Sequence, residues 1–309
     1  MTGVVPFLVL LAMGIGWGLT LPLAKIAVST GHEPYGLIFW QFVVVVAVLA
    51  PISLTRRARP RVRLGRQHLM LFTALAMFGA LLPDVFFYIG AVELPAGVLS
   101  ITAATAPMFA LIIALAVGND TFSWPRIAGI SLGLGGVILM IGPEASLPDP
   151  GMAFFVLLTL LAPALYATEA NIVSKFGTLG LDPMQTIVGA STVGMIVALP
   201  LAFLTDQWVD PFANFGAAEL ALIAAAALHA VVYATYVWLV GRAGSVFASQ
   251  SAYIVTATGV VASMIMLQES YSMFIWLALG VMLLGVFLVQ PRAAQRLTPV
   301  AEVDNSHVP

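Results

Sequence analysis

The chain has 309 residues, 61% of them hydrophobic and only 8% charged, with a net charge of −2 and a mean hydropathy of +1.04. A soluble domain carries about 25% charged residues, so this composition excludes a water-soluble fold and specifies an integral membrane protein. The absence of cysteine removes disulfides, thiol catalysis and thiolate metal sites together.

The apolar run from Val4 lacks the basic flank of a signal peptide and outlasts its ~7–15-residue core, so it reads as a span. A membrane helix needs about 20 mainly apolar residues. On that rule the sequence predicts ten spans, at about 4–28, 34–54, 68–92, 95–117, 125–142, 151–174, 183–205, 216–240, 244–266 and 272–290. The longest connection, 55–67, is Arg-rich and suited to anionic lipid head groups; nucleic acid is not an expected partner. The polar tail 292–309 reads as disordered and cytoplasmic.

Basic residues set the orientation. With a cytoplasmic N-terminus, alternate loops place Arg56, Arg57, Arg59, Arg61, Arg63, Arg66, Arg126, Lys175, Arg242, Arg292 and Arg296 inside. Of the twelve Lys and Arg residues only Lys25 is left, and it lies near the outer end of the first span. The positive-inside rule therefore predicts that both termini are cytoplasmic. Glu33, Glu93, Glu144, Asp149, Asp206, Asp210, Glu219 and Glu269 then fall outside.

The stretch Leu94 to Leu139 returns 149 positions later, from Ala243 to Leu288. In that register Asp120 meets Glu269, Phe122 meets Tyr271, Ser123 meets Ser272, and Ser100 meets Ser249. Each repeat holds five spans, an odd number, so the second copy must be inverted. The expected fold is an all-α membrane protein of ten transmembrane helices in two inverted five-helix repeats, 1–145 and 146–291, a plan common among secondary transporters. Asp120 and Glu269 each precede a helix start, so they read as matching end-caps of the two halves.

Ionisable groups within spans cost about 2.5–3.5 kcal/mol each and mark functional sites by default. Asp84, Glu169 and His229 lie within spans three, six and eight, and Lys25 lies late in span one after Pro22. Two readings stand: a polar cavity for substrate or a coupling proton, or structural pairs such as Lys25 with Asp84 or Glu169. Lys25 is also placed to snorkel to the surface. Pro83 removes one backbone hydrogen bond beside Asp84 and predicts a kink, and Pro22, Pro107 and Pro163 interrupt spans one, four and six likewise. Trp17, Phe87, Tyr166 and Tyr236 form two register pairs, Trp17 with Tyr166 and Phe87 with Tyr236, and serve either as cavity walls or as ordinary packing. Gly14, Gly16, Gly18, Gly129, Gly133, Gly135 and Gly136 predict close helix contacts.

The chain resembles the EamA family of the drug/metabolite transporter superfamily. The resemblance rests on Gly16-Trp17-Gly18 in the first span and on the end of each repeat, where a helix, a short acidic elbow and a Gly-rich span follow one another. In the first copy these are Thr105-Ala106-Pro107, Gly118-Asn119-Asp120 and Gly129 to Val137; in the second, Leu267-Gln268-Glu269 and Gly280 to Val286. Asp120 stands where the family usually has Glu, and the second elbow lacks its Gly. The resemblance implies a central cavity lined by spans one, three, four, six, eight and nine. It also implies transport of small organic solutes, often export of amino acids or other metabolites; relatives in the superfamily exchange nucleotide sugars and phosphorylated sugars.

The expected function is an inner (plasma) membrane secondary transporter of a small, amino-acid-like or related solute, with export favoured. Its partners are the substrate, the lipid bilayer, and protons or a counter-substrate; no cofactor, metal or catalytic residue is expected, and the oligomeric state is left open. The alternatives are a passive channel or membrane scaffold and, lastly, an intramembrane enzyme. Of His32, His68, His229 and His307 only His229 is deep, and the two buried acids lie in no recognisable peptidase setting.

Overall fold

A computed structural model of the protein describes residues 4–56, 62–143, 146–213, 215–243, 247 and 250–290. Arg57, Arg59, Arg61, Glu144, Ser249, Arg292, Arg296 and the 292–309 tail lie outside the described residues, as does the predicted start of the ninth span at 244.

Among the described residues all regular secondary structure is helical. Eight helices are long and apolar enough to cross a membrane. They are α1 (Val4–Ala27), α2 (Pro34–Thr55), α3 (Arg66–Glu93), α4 (Ala96–Ala116), α5 (Trp124–Ile141), α6 (Met152–Phe176), α7 (Pro183–Leu204) and α8 (Ala217–Ala243). Two shorter apolar helices follow, α9 (Ser251–Met266) and α10 (Met273–Val289). Helices satisfy their own backbone groups, which lipid cannot do for them. Their outward side chains are apolar: Leu134 is 62% exposed, Phe203 59%, Ile265 68% and Phe287 66%. So large an exposed apolar surface belongs against lipid.

Prolines shape the interior helices. Pro83 lacks an amide proton, and the turn before it, Met77–Leu81, opens into a π-helix. There the Leu82 N–H reaches back five residues to the Met77 carbonyl. α4 is interrupted at Ala104 and Thr105, just before Pro107, and α6 at Leu160, just before Pro163. Pro22 sits inside an uninterrupted α1. Some helix starts are capped by local chemistry. Asp182 and Gln185 form a reciprocal capping box at α7, and Ser272 accepts the Ile275 N–H at α10.

The connections gather at two ends of the bundle. At one end Arg56 pairs with Asp182 at 3.4 Å, His68 meets the Leu179 carbonyl at 3.2 Å, and Arg126 donates to the Val289 carbonyl at 3.1 Å. At the other end His32 meets Glu219 at 2.6 Å, Trp40 donates to the Val209 carbonyl at 2.8 Å, and Ser272 donates to the Ser146 carbonyl at 2.9 Å. Between the ends, α1 packs on α8 and α9, while α6 packs on α3 and α4; α2 packs on α7, and α5 on α10. This pattern maps onto itself when each helix is exchanged with the one five places on.

The α5–α10 seam shows why small residues recur there. A Cβ added at Gly285 would lie 2.8 Å from the Gly129 carbonyl oxygen, whereas one added at Gly280 would meet nothing within 4 Å. Overpacking of this kind costs about 1–3 kcal/mol. Gly285→Val is therefore expected to lower the thermal midpoint of the detergent-solubilised protein, and Gly280→Val to leave it in place.

Candidate functional site

Two polar clusters lie inside the bundle; the first joins two helices of the first half of the chain to one of the second, and the second joins one helix of each half. The first is built on Asp84, one turn beyond the π-helical segment of α3. The side chain is buried, 6% exposed, and both carboxylate oxygens accept hydrogen bonds. The Tyr166 hydroxyl of α6 donates to Oδ1 at 2.5 Å, and Gln41 Nε2 of α2 donates to Oδ2 at 2.6 Å. Gln41 Oε1 in turn accepts from the Tyr88 hydroxyl at 2.9 Å. Asp84 and Tyr88 stand four residues apart on one helix face, so a single amide spans both. Three helices are thereby tied through one carboxylate.

The second cluster is aromatic and lies where α1 crosses α8. Trp17 Nε1 donates to His229 Nδ1 at 3.1 Å, which fixes the neutral imidazole tautomer that carries its proton on Nε2. The Trp17 ring lies 5.8 Å from His229, 6.3 Å from Tyr233 and 5.8 Å from Tyr236, and Tyr233 lies 6.4 Å from Tyr236. His229, Tyr233 and Tyr236 recur at helical spacing and so share one face of α8. All four side chains are only partly buried.

Glu169, on the same face of α6 as Tyr166, belongs to neither hydrogen-bond network. It is half-buried. Beneath it is Gly79 of the π-helical turn, where an added Cβ would come within 2.9 Å of Glu169 Cγ. No hydrogen bond or ion pair to its carboxylate occurs among the described residues. No group of three His, Asp or Glu side chains there is arranged to hold a metal ion.

The structure thus brings Asp84 to Tyr166, and Trp17 to His229 and Tyr236. The two other predicted residues stand apart. Phe87 packs against the main apolar core and meets Tyr88 ring to ring, at 5.9 Å. Lys25 donates from Nζ to the Val92 carbonyl at 2.9 Å, near one end of the bundle, in a depression it shares with Glu93, Pro95, Pro148 and Glu269. Neither acid pairs with it. Gln41 is a participant that the sequence reading passed over, and Tyr88 and Tyr233 are aromatics of spans three and eight that it did not choose as site residues. Gln41 had a signal, as a lone amide in an otherwise apolar span.

The elbow acids differ from the expected end-caps. Asp120 makes a bidentate pair with Arg126, at 2.8 and 2.7 Å, and those hydrogen bonds hold its carboxyl below the usual carboxylate range. Glu269 leaves the cap of its own helix to Ser272 and instead crosses to the start of α4. There it accepts from the Ala96 N–H at 2.8 Å and the Gly97 N–H at 3.2 Å, and from the Tyr271 hydroxyl. Burial and the Glu269 contact keep the proton on that hydroxyl. A carboxylate does sit on a helix N-terminus, as its charge favours, but the helix is one the local sequence could not name.

Comparison with known proteins agrees with this architecture. A sequence profile described as the EamA-like transporter family matches the chain twice, over residues 5–142 and 153–290. An uncharacterized transporter of Archaeoglobus fulgidus is 26% identical over 192 residues, which is 62% of this chain and 64% of that one. The chain thus matches somewhat under two thirds of that relative's length. A solved crystal structure superposes with a TM-score of 0.63 over 92% of this chain and 96% of its own, at 18% identity, a likeness of fold alone. Two profile matches that span almost the whole length, on a chain of apolar membrane-length helices, make this a multi-pass membrane protein that belongs to the EamA-like transporter family.

Proposed function

We propose that the protein is a secondary transporter of a small organic metabolite in the inner (plasma) membrane. It works by alternating access between two inverted five-helix repeats, 1–145 and 146–291, with ten crossings and both termini cytoplasmic. The observation that carries this reading is the self-mapping helix packing with an acidic, aromatic site at the seam. In the 149 register Trp17 answers to Tyr166, and Tyr233 to Asp84. The Trp17–Tyr233 contact and the Tyr166–Asp84 hydrogen bond are therefore counterparts across the two halves. A two-fold seam of this kind can rock about a site near the midplane. The tight Glu269 contact to α4 belongs to one end of that rocking motion. The family resemblance favours amino-acid-like or related solutes, and export.

Counterflow in proteoliposomes tests the carrier. Preloaded unlabelled solute is expected to accelerate uptake of the labelled solute, with saturation. Flux that rises linearly and ignores the trans solute would establish a channel instead. Proton coupling through the two acids is part of the proposal. Asp84→Asn and Glu169→Gln are expected to flatten the dependence of flux on pH, and an unchanged profile in both variants rules that coupling out.

A further inference from the structure

We propose that the connection between α7 and α8, residues 205–216, is a membrane anchor. Its Phe212 and Phe215 rings seat in the lipid head-group boundary, at the end of the bundle opposite the Arg-rich 55–67 connection. The inference is independent of what the protein carries.

The connection is pinned to the start of α2. Trp40 Nε1 donates to the Val209 carbonyl at 2.8 Å, and the Tyr35 N–H donates to Gln207 Oε1 at 3.1 Å. Gly36 fits so closely here that an added Cβ would lie 2.3 Å from the Gln207 carbonyl oxygen. Trp208 stacks on Phe203, with ring centroids 4.7 Å apart and planes inclined by 12°, and lies 5.5 Å from Phe39. From this footing the chain turns its next two rings outward. Phe212 is 79% exposed and Phe215 58%, although Trp40 meets the first edge-on at 6.1 Å. Two phenyl rings held in the open by an ordered platform are a surface kept for an apolar partner.

Continuity and charge identify that partner as lipid. Phe203 and Leu204, the last residues of α7, belong to the exposed apolar surface of the bundle, and the Phe203–Trp208 stack carries that surface into the connection. Asp206 and Asp210 alternate with the rings and are themselves exposed. Their carboxylates exclude the hydrocarbon centre, and the rings avoid water. The boundary between head groups and acyl chains accepts both. The connection 149 positions earlier makes the contrast. Arg57, Arg59, Arg61, Arg63 and Arg66 stand there at the register positions of Asp206, Trp208, Asp210, Phe212 and Phe215. That connection suits anionic head groups by charge. Its counterpart has no Lys or Arg from 205 to 216 and reaches the membrane surface through rings.

Spin-label accessibility in proteoliposomes of phosphatidylcholine and phosphatidylglycerol tests the anchor. The parent has no cysteine, so a nitroxide can be placed at one chosen thiol. Ala213→Cys puts it between the two rings and keeps both. Ile265→Cys and Asp149→Cys, each at an exposed position, serve as lipid and water references. Collision with oxygen, which concentrates in lipid, is compared with collision with a water-soluble nickel chelate. The oxygen-to-nickel ratio of the Ala213 label is expected to exceed that of the Asp149 label about threefold or more, on the Ile265 side of the scale. Phe212→Ser combined with Phe215→Ser should bring it down to the Asp149 ratio, and each single replacement should bring it partway. A ratio equal to that of Asp149 with both rings in place overturns the proposal, as does a ratio that ring removal leaves unchanged. A label shielded from both reagents also overturns it, since a protein surface would then cover the rings. The first comparison uses intact rings, so it decides even where the doubly substituted protein does not fold.

Discussion

Asp84→Ala is expected to cost the protein most of its transport and a measurable part of its stability. The substitution leaves the Tyr166 hydroxyl and the Gln41 amide facing a void, and it breaks the link that joins α2, α3 and α6 through one group. Single interhelical hydrogen bonds in membranes average about 0.6 kcal/mol and reach about 1.7 kcal/mol, because the unfolded chain in lipid also finds partners. Two bonds to a buried carboxylate belong at the upper end, so a loss of about 1–3 kcal/mol is expected in a thermal or denaturant melt. The effect on flux should be larger than the effect on stability. Tyr166 lies on the face of α6 that carries Glu169, and a relaxed Tyr166 lets both side chains drift. We expect flux to fall at least tenfold. Asp84→Asn separates the roles, since an amide still accepts from Tyr166 but brings no charge. Its melt should stay close to the parent while its flux falls. A variant Asp84→Ala that transports at the parental rate would reduce this network to ordinary packing.

Much of this arrangement is written in the chain, and the part that is not has physical causes. Composition and the roughly 20-residue rule locate the helices, because a helix satisfies its own backbone groups where lipid cannot. Asp84, Glu169 and His229 stand out because ionisable groups are costly at depth. What the sequence withholds is the choice of partner. Lys25 offers a charge to match either acid, yet helix packing directs it to the Val92 carbonyl and gives Asp84 two uncharged donors instead. Tyr233 reads as one more interfacial aromatic until α1 and α8 are seen to cross at Trp17. Phe87, chosen because it pairs with Tyr236 in the repeat, turns to the core, since register equivalence fixes a helix position but not the neighbours that each half provides. Pro83 was legible as an irregularity; that it would be resolved as a π-turn with Gly79 under Glu169 depends on α6 pressing there.

The same separation between local and tertiary partners makes Glu269 the second sensitive position. Its carboxylate belongs to the last connection of the chain, yet it holds the first turn of α4, with the Ala96 and Gly97 amides and the Tyr271 hydroxyl as donors. Hydrogen bonds to a charged acceptor contribute about 1.5–3 kcal/mol each, and a carboxylate at a helix N-terminus adds about 0.3–1 kcal/mol. Releasing this contact removes several kcal/mol from the state in which it is made. In a carrier that alternates between two states, even 1.4 kcal/mol changes their ratio tenfold. Asp120, its counterpart in the repeat, is committed to Arg126 here, so the two elbows are not equivalent in this state. Glu269→Ala is therefore expected to open this end of the bundle. The parent has no cysteine, so one introduced thiol reports without background. Val98 is 1% exposed and lines the depression beside Tyr271 and Ser272. In a Val98→Cys background the thiol should react slowly with a membrane-impermeant maleimide, and at least tenfold faster once Glu269 is replaced by Ala. Glu269→Gln should fall between, since its one amide oxygen still accepts from a backbone N–H while its NH2 cannot replace the second acceptor and it brings no charge to the helix dipole. Equal labelling rates in all three would mean that the Glu269 contact persists unaltered through the transport cycle, and that the end it closes opens elsewhere.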